Sequence, residues 1–346
     1  MRLNGLSSLV SSILITGRSE LRRVALGNGD RKQFSSKVKQ YKRLLMNEYV
    51  DMESYYLPYM IPLLLQLSKS GELIFSIDGS VVGKGCMCLM VSVIYQGKAI
   101  PVVWRVYKAK KGHLPEKAHR DVLSDLSEVV PENCRTIVTG DGEFDGCDWQ
   151  RDILDLGWDY VLRTGKGRKV RTSSSDNFKL GSISTMEGTD MFMEDVEFTE
   201  KKWLTNVLVW HGKNHVKPLY LLTNLDFAPE IKRFYKKRFK IEPFFRDQKS
   251  KGFHIQKSGL RNPDRLKRLL MATCLAYVLS VMAAAKARKS IFYDEITRTD
   301  GEFLSLFLLG YRFILFLVDI RQWRTFSWAR DFIPDSIHYT ENDYSL

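Results

Sequence analysis

The segment Leu73-Ile-Phe-Ser-Ile-Asp-Gly-Ser80 begins with a short, nearly continuous apolar run and ends on a carboxylate. The run predicts a buried strand, and the Asp-Gly-Ser tripeptide after it predicts a turn. The segment Thr136-Ile-Val-Thr-Gly-Asp141 repeats this pattern. Each segment therefore delivers an aspartate, Asp78 or Asp141, to the carboxyl end of a buried strand. Ligands of open α/β sheets bind at such ends.

The elements around these two strands predict a mixed α/β layout. A meander of three strands starts at residue 73, with a Gln96-Gly97-Lys98 hairpin turn between its second and third strands. The full predicted order is strands at 73–77, 86–95 and 99–106, a helix at 116–130, the strand before Asp141, a helix at 149–156 and a strand at 160–163. Strands that alternate with helices in this way favour one sheet covered by helices.

The local composition and residue patterns of the sequence divide the chain into five predicted regions. Residues 164–223 alternate glycine- and serine-rich pieces with strand-like pieces, which indicates a β-rich insertion rather than one long loop. The five regions are a helical basic N-terminal region at 1–70 that either contacts nucleic acid or packs through amphipathic helices, the first part of the α/β core at 71–163, the insertion at 164–223, a helical segment that completes the core at 224–260, and a helical C-terminal region at 261–346.

The helical segment carries four polar side chains with a regular spacing. Tyr235, Arg238, Glu242 and Lys249 are separated by three, four and seven residues. At ~100° per residue they fall within roughly 60° of one another on one helix. We call this set the YREK stripe. A helix kink is expected at Pro243, because proline lacks the backbone donor.

The positive charge of the protein is concentrated around this stripe. Residues 232–268 contain fourteen basic and three acidic residues, which is +11 of the net charge of +13. A solvated helix face is one interpretation of such a run. Nucleic acid or an anionic membrane surface as a partner is the other, and the concentration of charge in one segment favours a polyanion.

Cysteine usage and hydropathy bear on the compartment. The five cysteines include no CxxC pair, which argues against a disulfide scaffold or a zinc ribbon and suits a reducing interior. The longest apolar block, residues 303–318, contains Arg312 and is too short to span a bilayer, so it predicts a buried helix. The sequence predicts a soluble cytosolic protein.

Two strand-end aspartates and one helical glutamate could share a pocket if the helix packs beside the sheet. Asp78, Asp141 and Glu242 would then repel one another, and divalent cations such as Mg²⁺ or Mn²⁺ would relieve that repulsion. A pair of such ions can activate a nucleophile and stabilise the leaving oxygen in phosphodiester displacement. The neighbouring acids Glu143, Asp145 and Asp148 compete with Asp141, and its place at the strand end favours Asp141.

These residues resemble a known family. The spacing Tyr235-x2-Arg238-x3-Glu242-x6-Lys249 resembles the Y-R-E-K signature of bacterial insertion-sequence transposases with a DDE site, of the insertion-sequence-four type. Asp141-Gly-Glu-Phe144 and Asp78-Gly-Ser80 resemble the family's second and first aspartate motifs. The resemblance covers roughly residues 70 to 320. It implies an α/β fold with a ribonuclease-H-like mixed sheet and flanking helices, a β-rich insertion, and helical N- and C-terminal regions.

The resemblance also implies an activity. It implies cleavage at transposon ends with two Mg²⁺ or Mn²⁺ ions held by Asp78, Asp141 and Glu242, and then attack of the freed 3′-hydroxyl on target DNA. The partners implied are double-stranded DNA with terminal inverted repeats, target DNA and a second copy of the chain, at the bacterial nucleoid. Predicted DNA contacts are Tyr235, Arg238, Lys249, Lys237, Arg246 and Trp210. In relatives an insertion-domain tryptophan stacks on a flipped base; Trp210 or Trp203 is the candidate for that role here, and a tryptophan buried in the sheet is the alternative.

Two alternatives stay open at this point. One is a ribonuclease-H-like nuclease that cuts DNA without joining it. The other is a DNA-binding protein without catalysis, such as a domesticated or decayed transposase. The three acidic positions and the YREK stripe are all present in the sequence, which speaks against decay.

Overall fold

The computed structural model describes residues 2–27, 33–109, 114–173, 175–199, 201–213, 216–297 and 304–321. Its central feature is one mixed sheet of ten strands, in the order β3-β2-β1-β4-β5-β10-β9-β8-β6-β7. The strands are β1 (Glu72–Gly83), β2 (Cys86–Tyr95), β3 (Lys98–Lys108), β4 (Arg135–Gly140), β5 (Asp159–Thr164), β6 (Lys169–Thr172), β7 (Ser175–Lys179), β8 (Asp190–Phe198), β9 (Trp203–Trp210) and β10 (Leu219–Thr223).

The first half of the sheet has the ribonuclease-H-like arrangement. Strands β1, β2 and β3 form an antiparallel meander, and β4 and β5 continue the sheet parallel to β1. Gln96 and Gly97 both have positive φ, as a two-residue hairpin between β2 and β3 requires. This confirms the predicted α/β fold class, a mixed sheet with flanking helices.

The residues between β5 and the YREK stripe form the second half of the sheet. β10 pairs antiparallel with β5, and β9, β8, β6 and β7 extend the sheet outward from there. The stretch that the sequence marks as a β-rich insertion is therefore joined to the core by backbone hydrogen bonds. The chain leaves the core after β5 and returns to it at β10.

β1 is longer than its apolar run suggests. The predicted turn at Asp78-Gly79-Ser80 is wrong, because β1 continues to Gly83. Gly79 and Ser80 pair with Leu89 and Cys88 of β2, so their backbone groups are satisfied beyond the point where β4 ends. Asp78 thus lies within a strand, at the level where its parallel neighbour stops.

Twelve α-helices flank the sheet in the described part of the chain. They are α1 (Arg2–Thr16), α2 (Leu21–Val24), α3 (Phe34–Met46), α4 (Met52–Tyr55), α5 (Leu57–Ser68), α6 (Glu116–Ser127), α7 (Cys147–Asp155), α8 (Ala228–Arg238), α9 (Ile241–Arg246), α10 (Pro263–Arg288), α11 (Tyr293–Ile296) and α12 (Leu306–Asp319). The predicted helical regions before β1 and after the YREK stripe are seen as far as the structure describes them. Residues 322–346 of the predicted C-terminal region lie outside the described residues.

The two faces of the sheet have separate apolar cores. One core joins α8 to the sheet, through Ile231 and Phe234 against Ile74, Ile137 and Val161. The other face carries the larger core, which includes α10. By length and composition α10 could cross a membrane, and 83% of its apolar window is buried inside the protein. The apolar block at 303–318, predicted to be a buried helix, forms α12 from Leu306 onward with seven buried residues, and residue 303 lies outside the described residues.

The sequence predicts that the YREK stripe lies on one continuous helix, and this prediction is wrong. α8 ends at Arg238, α9 begins at Ile241, and a π-helical turn follows at Asp247–Lys251. The break precedes Glu242. Pro243 occupies the first turn of α9, where a backbone N–H has no intrahelical partner, so proline costs little there. The expected kink after Glu242 is therefore wrong, and a break before it takes its place.

The packing of α12 on α10 depends on a glycine, and this gives a first prediction. A Cβ atom at Gly310 would lie 1.7 Å from the Ser280 carbonyl oxygen, which is far inside van der Waals contact. We expect Gly310→Ala to lower the free energy of unfolding by about 3 kcal/mol, because one helix would have to move off the other. Urea denaturation measures the loss. Gly167→Ala, with no atom within 4 Å, is the control and should change stability little. Equal stability of the two variants would contradict the close helix crossing.

Candidate active site

The sheet register brings the two predicted aspartates to the same level. β1 and β4 pair in parallel with Ser76 opposite Thr139, and two further residues along this register place Asp78 opposite Asp141. Side chains two residues apart on a strand point to the same face. Asp78 and Asp141 therefore share the face that carries Ile74 and Ile137, which is the face covered by α8.

Two hydrogen bonds attach the YREK stripe to β1 on either side of Asp78. Before Asp78, the Ser76 hydroxyl donates to the Arg238 carbonyl oxygen at 3.1 Å. After it, the Lys249 ammonium donates to the Ser80 hydroxyl oxygen. Because Ser76 and Ser80 lie on the same face of the strand as Asp78, the chain from Arg238 to Lys249 passes beside Asp78. Glu242 lies in that passage.

Glu242 is held by an arginine in this structure. The Arg238 Nη2 donates to Glu242 Oε1 at 3.1 Å. The Arg238 side chain is 6% exposed, and that of Glu242 is 56% exposed. Arg238 also lies over the Phe239 ring, 4.5 Å from its centroid. The carboxylate thus projects to the surface from a cation that is packed into the protein.

The electrostatics show that the three carboxylates share one neighbourhood. Burial raises the pKa of Asp78 to about 7, and the charge of Asp141 and, more weakly, that of Glu242 add to the rise. The positive charge of Arg238 and the hydrogen bond from the Gly79 N–H lower the pKa of Asp78 against this trend. The charge of Asp141 thus opposes ionisation of Asp78, and this is the repulsion that a metal ion relieves.

The donor chemistry of this neighbourhood fits a divalent cation at the two aspartates. Each has one oxygen engaged with the backbone: Asp78 Oδ1 accepts from the Gly79 N–H at 2.8 Å, and Asp141 Oδ1 accepts from the Glu143 N–H at 3.0 Å. Their other oxygens, hard donors on facing side chains, suit Mg²⁺ or Mn²⁺. Within the described ranges no three His, Cys, Asp or Glu side chains are close enough to hold one ion. Glu242 would have to leave Arg238 to join the aspartates.

The predicted DNA contacts divide by their exposure. Tyr235 is fully buried and Arg238 nearly so, and in this conformation neither side chain is available to a phosphate. Burial raises the pKa of Tyr235, while the charges of Arg238 and Arg163 oppose the rise. Both side chains lie beneath the surface of the site, and phosphate contact by either one stays a prediction that requires a change of conformation.

The other predicted contacts lie nearer the surface. Arg246 is exposed on α9, and Lys237 and Lys249 are partly exposed. Trp210 is also partly exposed, and the Lys236 ammonium lies 5.6 Å from its ring centroid. Trp203, the alternative, donates its Nε1–H to Gln150 Oε1 at 3.1 Å and lies under Arg151. Trp210 thus stands beside the cations of α8, and Trp203 is engaged with α7.

The acids that compete with Asp141 have other partners. Asp145 is buried, and it accepts from Arg168 through both oxygens and from the Thr164 hydroxyl at 2.6 Å. Asp148 pairs with Lys201 and Arg151 at the surface. Both have structural roles as placed.

Two further residues lie beside the site: Glu143, the third acid that competes with Asp141 in the sequence, and Arg163, which the sequence pattern does not single out. Glu143 Oε1 accepts from the Leu114 N–H at 2.7 Å, and its other oxygen lies near Gly79. The register of β4 and β5, extended by one residue, places Arg163 opposite Asp141. In the sequence Arg163 is the last residue of the strand predicted at 160–163, and the register of β4 and β5 is what places it at the site.

The raised pKa of Asp78 gives a stability prediction. The folded protein holds a proton on Asp78 up to about pH 7, whereas the unfolded chain releases it near 3.8, so stability falls as pH rises through that window. Asp78→Asn keeps an oxygen for the Gly79 N–H but removes the charge. We expect the variant to gain about 1–2 kcal/mol at about pH 8 in EDTA and almost nothing at about pH 4. Denaturant unfolding at both values measures this.

A surface acid supplies the control for this experiment. Asp226 is exposed, so Asp226→Asn should leave stability unchanged at either pH. A gain for Asp78→Asn that is equal at both pH values would contradict the predicted charge repulsion.

Comparisons with known proteins identify the family. A comparison with curated proteins gave no significant match. Among solved structures, the cryo-EM structure of the piggyBac transposase synaptic complex with hairpin DNA matches with a TM-score of 0.42 and 14% identity. The match covers 80% of this chain and 60% of that one, so this chain spans less than two thirds of it. Residues 71–279, well over half of the chain, match the family described as transposase DDE domain and include all three predicted acids. The chain belongs to the transposase DDE domain family.

Proposed function

We propose that this protein is a DNA transposase that cleaves transposon ends and joins their 3′-hydroxyl ends to target DNA. The observation that carries the proposal is the placement of Asp78 and Asp141 at one level on neighbouring strands, with Glu242 passing beside them. Membership of the transposase DDE domain family supports the same chemistry. The acting species that we propose is a homodimer on paired ends of double-stranded DNA, in the bacterial cytoplasm.

In this proposal Asp78, Asp141 and Glu242 hold two Mg²⁺ or Mn²⁺ ions. When bound, such ions activate the attacking oxygen and neutralise the leaving oxygen of a phosphodiester. Asp78 must give up its proton for this, and the charges of Arg238 and Lys249 beside it favour that loss. Glu242 must release its hydrogen bond with Arg238 before its carboxylate can bind the ions. Arg238 would then carry an uncompensated charge close to the reacting phosphate.

The exposed cations of α8 and α9 account for DNA attraction in this proposal. Lys236, Lys240 and Arg246 are exposed along this segment, beside a carboxylate cluster that by itself repels DNA. Lysine and arginine contacts to phosphates provide most of the sequence-independent affinity for DNA and weaken with salt. The positive segment therefore brings the polyanion to the acidic site.

One experiment separates the proposal from its rivals. The protein is incubated with Mg²⁺ or Mn²⁺ and a labelled duplex that carries the inverted repeats flanking its reading frame. Strand-transfer products support the transposase. Nicks without joining support a ribonuclease-H-like nuclease. Retention of DNA without cleavage in either metal supports a DNA-binding protein and contradicts the proposal.

A further inference from the structure

A cleft of about 790 Å³ opens at the carboxyl ends of β4 and β5. Asp141, Glu143 and Asp145 belong to its lining, and most of the rest comes from residues 163–168, residues 181–185 and residues 217–220. Cavities of roughly 300–1,000 Å³ enclose small molecules, and this one is too small to enclose a duplex. The proposed function uses Asp141 and gives the remainder of the cleft no role.

The cleft lining from residue 163 onward is rich in cations. Arg163, Lys166 and Lys217 line it and are exposed, and within the described part of the chain none of them forms an ion pair. A fourth cation, Arg168, is already neutralised by Asp145. Three positive charges thus face a space that begins at a predicted metal ligand. This arrangement favours an anion that extends from that ligand.

The chemistry of the lining favours phosphates over bases. Tyr220 is the one aromatic residue among the lining residues, and it is 8% exposed. Stacking of a base requires an exposed ring, so the cleft offers none. Its cations and the hydroxyl-bearing residues Ser182 and Ser184 suit the sugar-phosphate backbone, which proteins contact without reading sequence.

The backbone that carries Lys166 is fixed in place. The Gly181 N–H donates to the Lys166 carbonyl oxygen at 2.7 Å. A Cβ atom at Gly181 would lie 3.0 Å from that oxygen, so only glycine allows this approach without a shift. The turn after β5 is thereby held against residues 181–185. A cation on a fixed turn loses less freedom on binding than one on a mobile loop.

Arg163 connects the cleft to the YREK stripe. It lies opposite Asp141 in the extended register, and its charge reaches Tyr235. Positive charge therefore continues from α8, past the aspartates, into the cleft. A strand whose scissile phosphate lies at Asp141 would have cations on both sides of the cut.

We propose that this cleft binds the sugar-phosphate backbone of single-stranded DNA next to the scissile phosphate, with Lys166 and Lys217 contacting phosphates on the side of Asp141 away from α8. The inference rests on the proposed function, because Asp141 marks the position of the scissile phosphate. It adds a substrate segment, one to two nucleotides of unpaired strand, that binds without base recognition.

A binding experiment without metal tests this proposal. Fluorescein-labelled dT12 is titrated with the full-length protein in EDTA, and anisotropy is measured over a range of salt concentrations. For Lys166→Ala/Lys217→Ala we expect about tenfold weaker binding and a salt slope smaller by about 1.4, the value for two lost contacts on a single strand. A twelve-nucleotide abasic oligonucleotide should bind within about twofold of dT12, because the cleft reads only the backbone.

The matched control is Lys169→Ala/Lys213→Ala. These lysines are exposed, are not among the residues that line the cleft, and their replacement makes the same change in charge. Their replacement should change affinity for dT12 by less than about twofold. Equal losses in the two double variants would overturn the proposal, as would failure of the wild-type protein to bind dT12 or loss of binding to the abasic strand. Because no metal is present, a protein that binds in this way but never cuts DNA would contradict the proposed function alone.

Discussion

Asp141→Asn is expected to lower metal-dependent DNA cleavage at least about a thousandfold, while DNA binding and stability stay near those of the wild type. The structure gives a reason for each part. Asp141 Oδ1 accepts the Glu143 N–H, and an asparagine Oδ1 can do the same. The lost charge is one that raises the pKa of Asp78, so its removal relieves repulsion in the fold. Cleavage of labelled duplex, anisotropy and thermal denaturation measure the three quantities.

A neighbouring acid provides the control for Asp141. Asp148 lies seven residues further on and pairs with Lys201 at the surface, so Asp148→Asn should cut DNA at the wild-type rate. Wild-type cleavage by Asp141→Asn would remove this residue from the site. Loss of cleavage in both variants would show instead that the segment after β4 tolerates no change.

Much of the fold follows from local patterns in the sequence. The apolar runs before Asp78 and Asp141 are buried strands because both faces of β1 and β4 are covered, one by α8 and the other by the larger core. The level of the two aspartates follows from the same runs, since parallel strands in register bring their carboxyl ends together. These features can be predicted from the two-residue period of a β-strand and from the rule that ligands bind at the carboxyl ends of strands.

The features that escaped prediction depend on tertiary pairing. β1 extends past Asp78 because β2 offers hydrogen bonds there, and no local signal in Asp-Gly-Ser distinguishes a turn from a paired strand. The break between α8 and α9 lets Lys249 meet Ser80, which a straight helix read from spacing alone does not reveal. In both places the structure is decided by a contact with a residue distant in sequence and not by the local preference of the chain.

In the candidate site, too, local patterns predict some features and tertiary packing decides the others. Spacing identifies Tyr235 and Arg238 as a functional pair, but their burial is decided by how α8 packs on the sheet. Arg163 cannot be identified from the sequence alone, because arginine is common at the ends of strands. Only the register of β4 and β5 places it opposite Asp141.

Glu242→Gln tests the third acid and has the second large expected effect. We expect cleavage to fall at least about a thousandfold, and the affinity for Mn²⁺ measured by calorimetry to fall about tenfold. The glutamine can still accept from Arg238, so the buried guanidinium keeps this hydrogen bond. Because the Glu242 carboxylate is 56% exposed and its charge is screened by solvent, the free energy of unfolding should change by less than about 1 kcal/mol.

The contrast with Glu230 separates a metal ligand from an ion-pair partner. Glu230, in the first turn of α8, pairs with Arg135 at 2.8 Å, and its side chain is 24% exposed. Glu230→Gln should lower the free energy of unfolding at least as much as Glu242→Gln does. It should leave Mn²⁺ affinity and cleavage unchanged. If Glu242 served only to neutralise Arg238, its variant would behave like that of Glu230. A loss of Mn²⁺ affinity confined to Glu242→Gln would instead require this carboxylate to move from Arg238 to the aspartates, which its exposure permits.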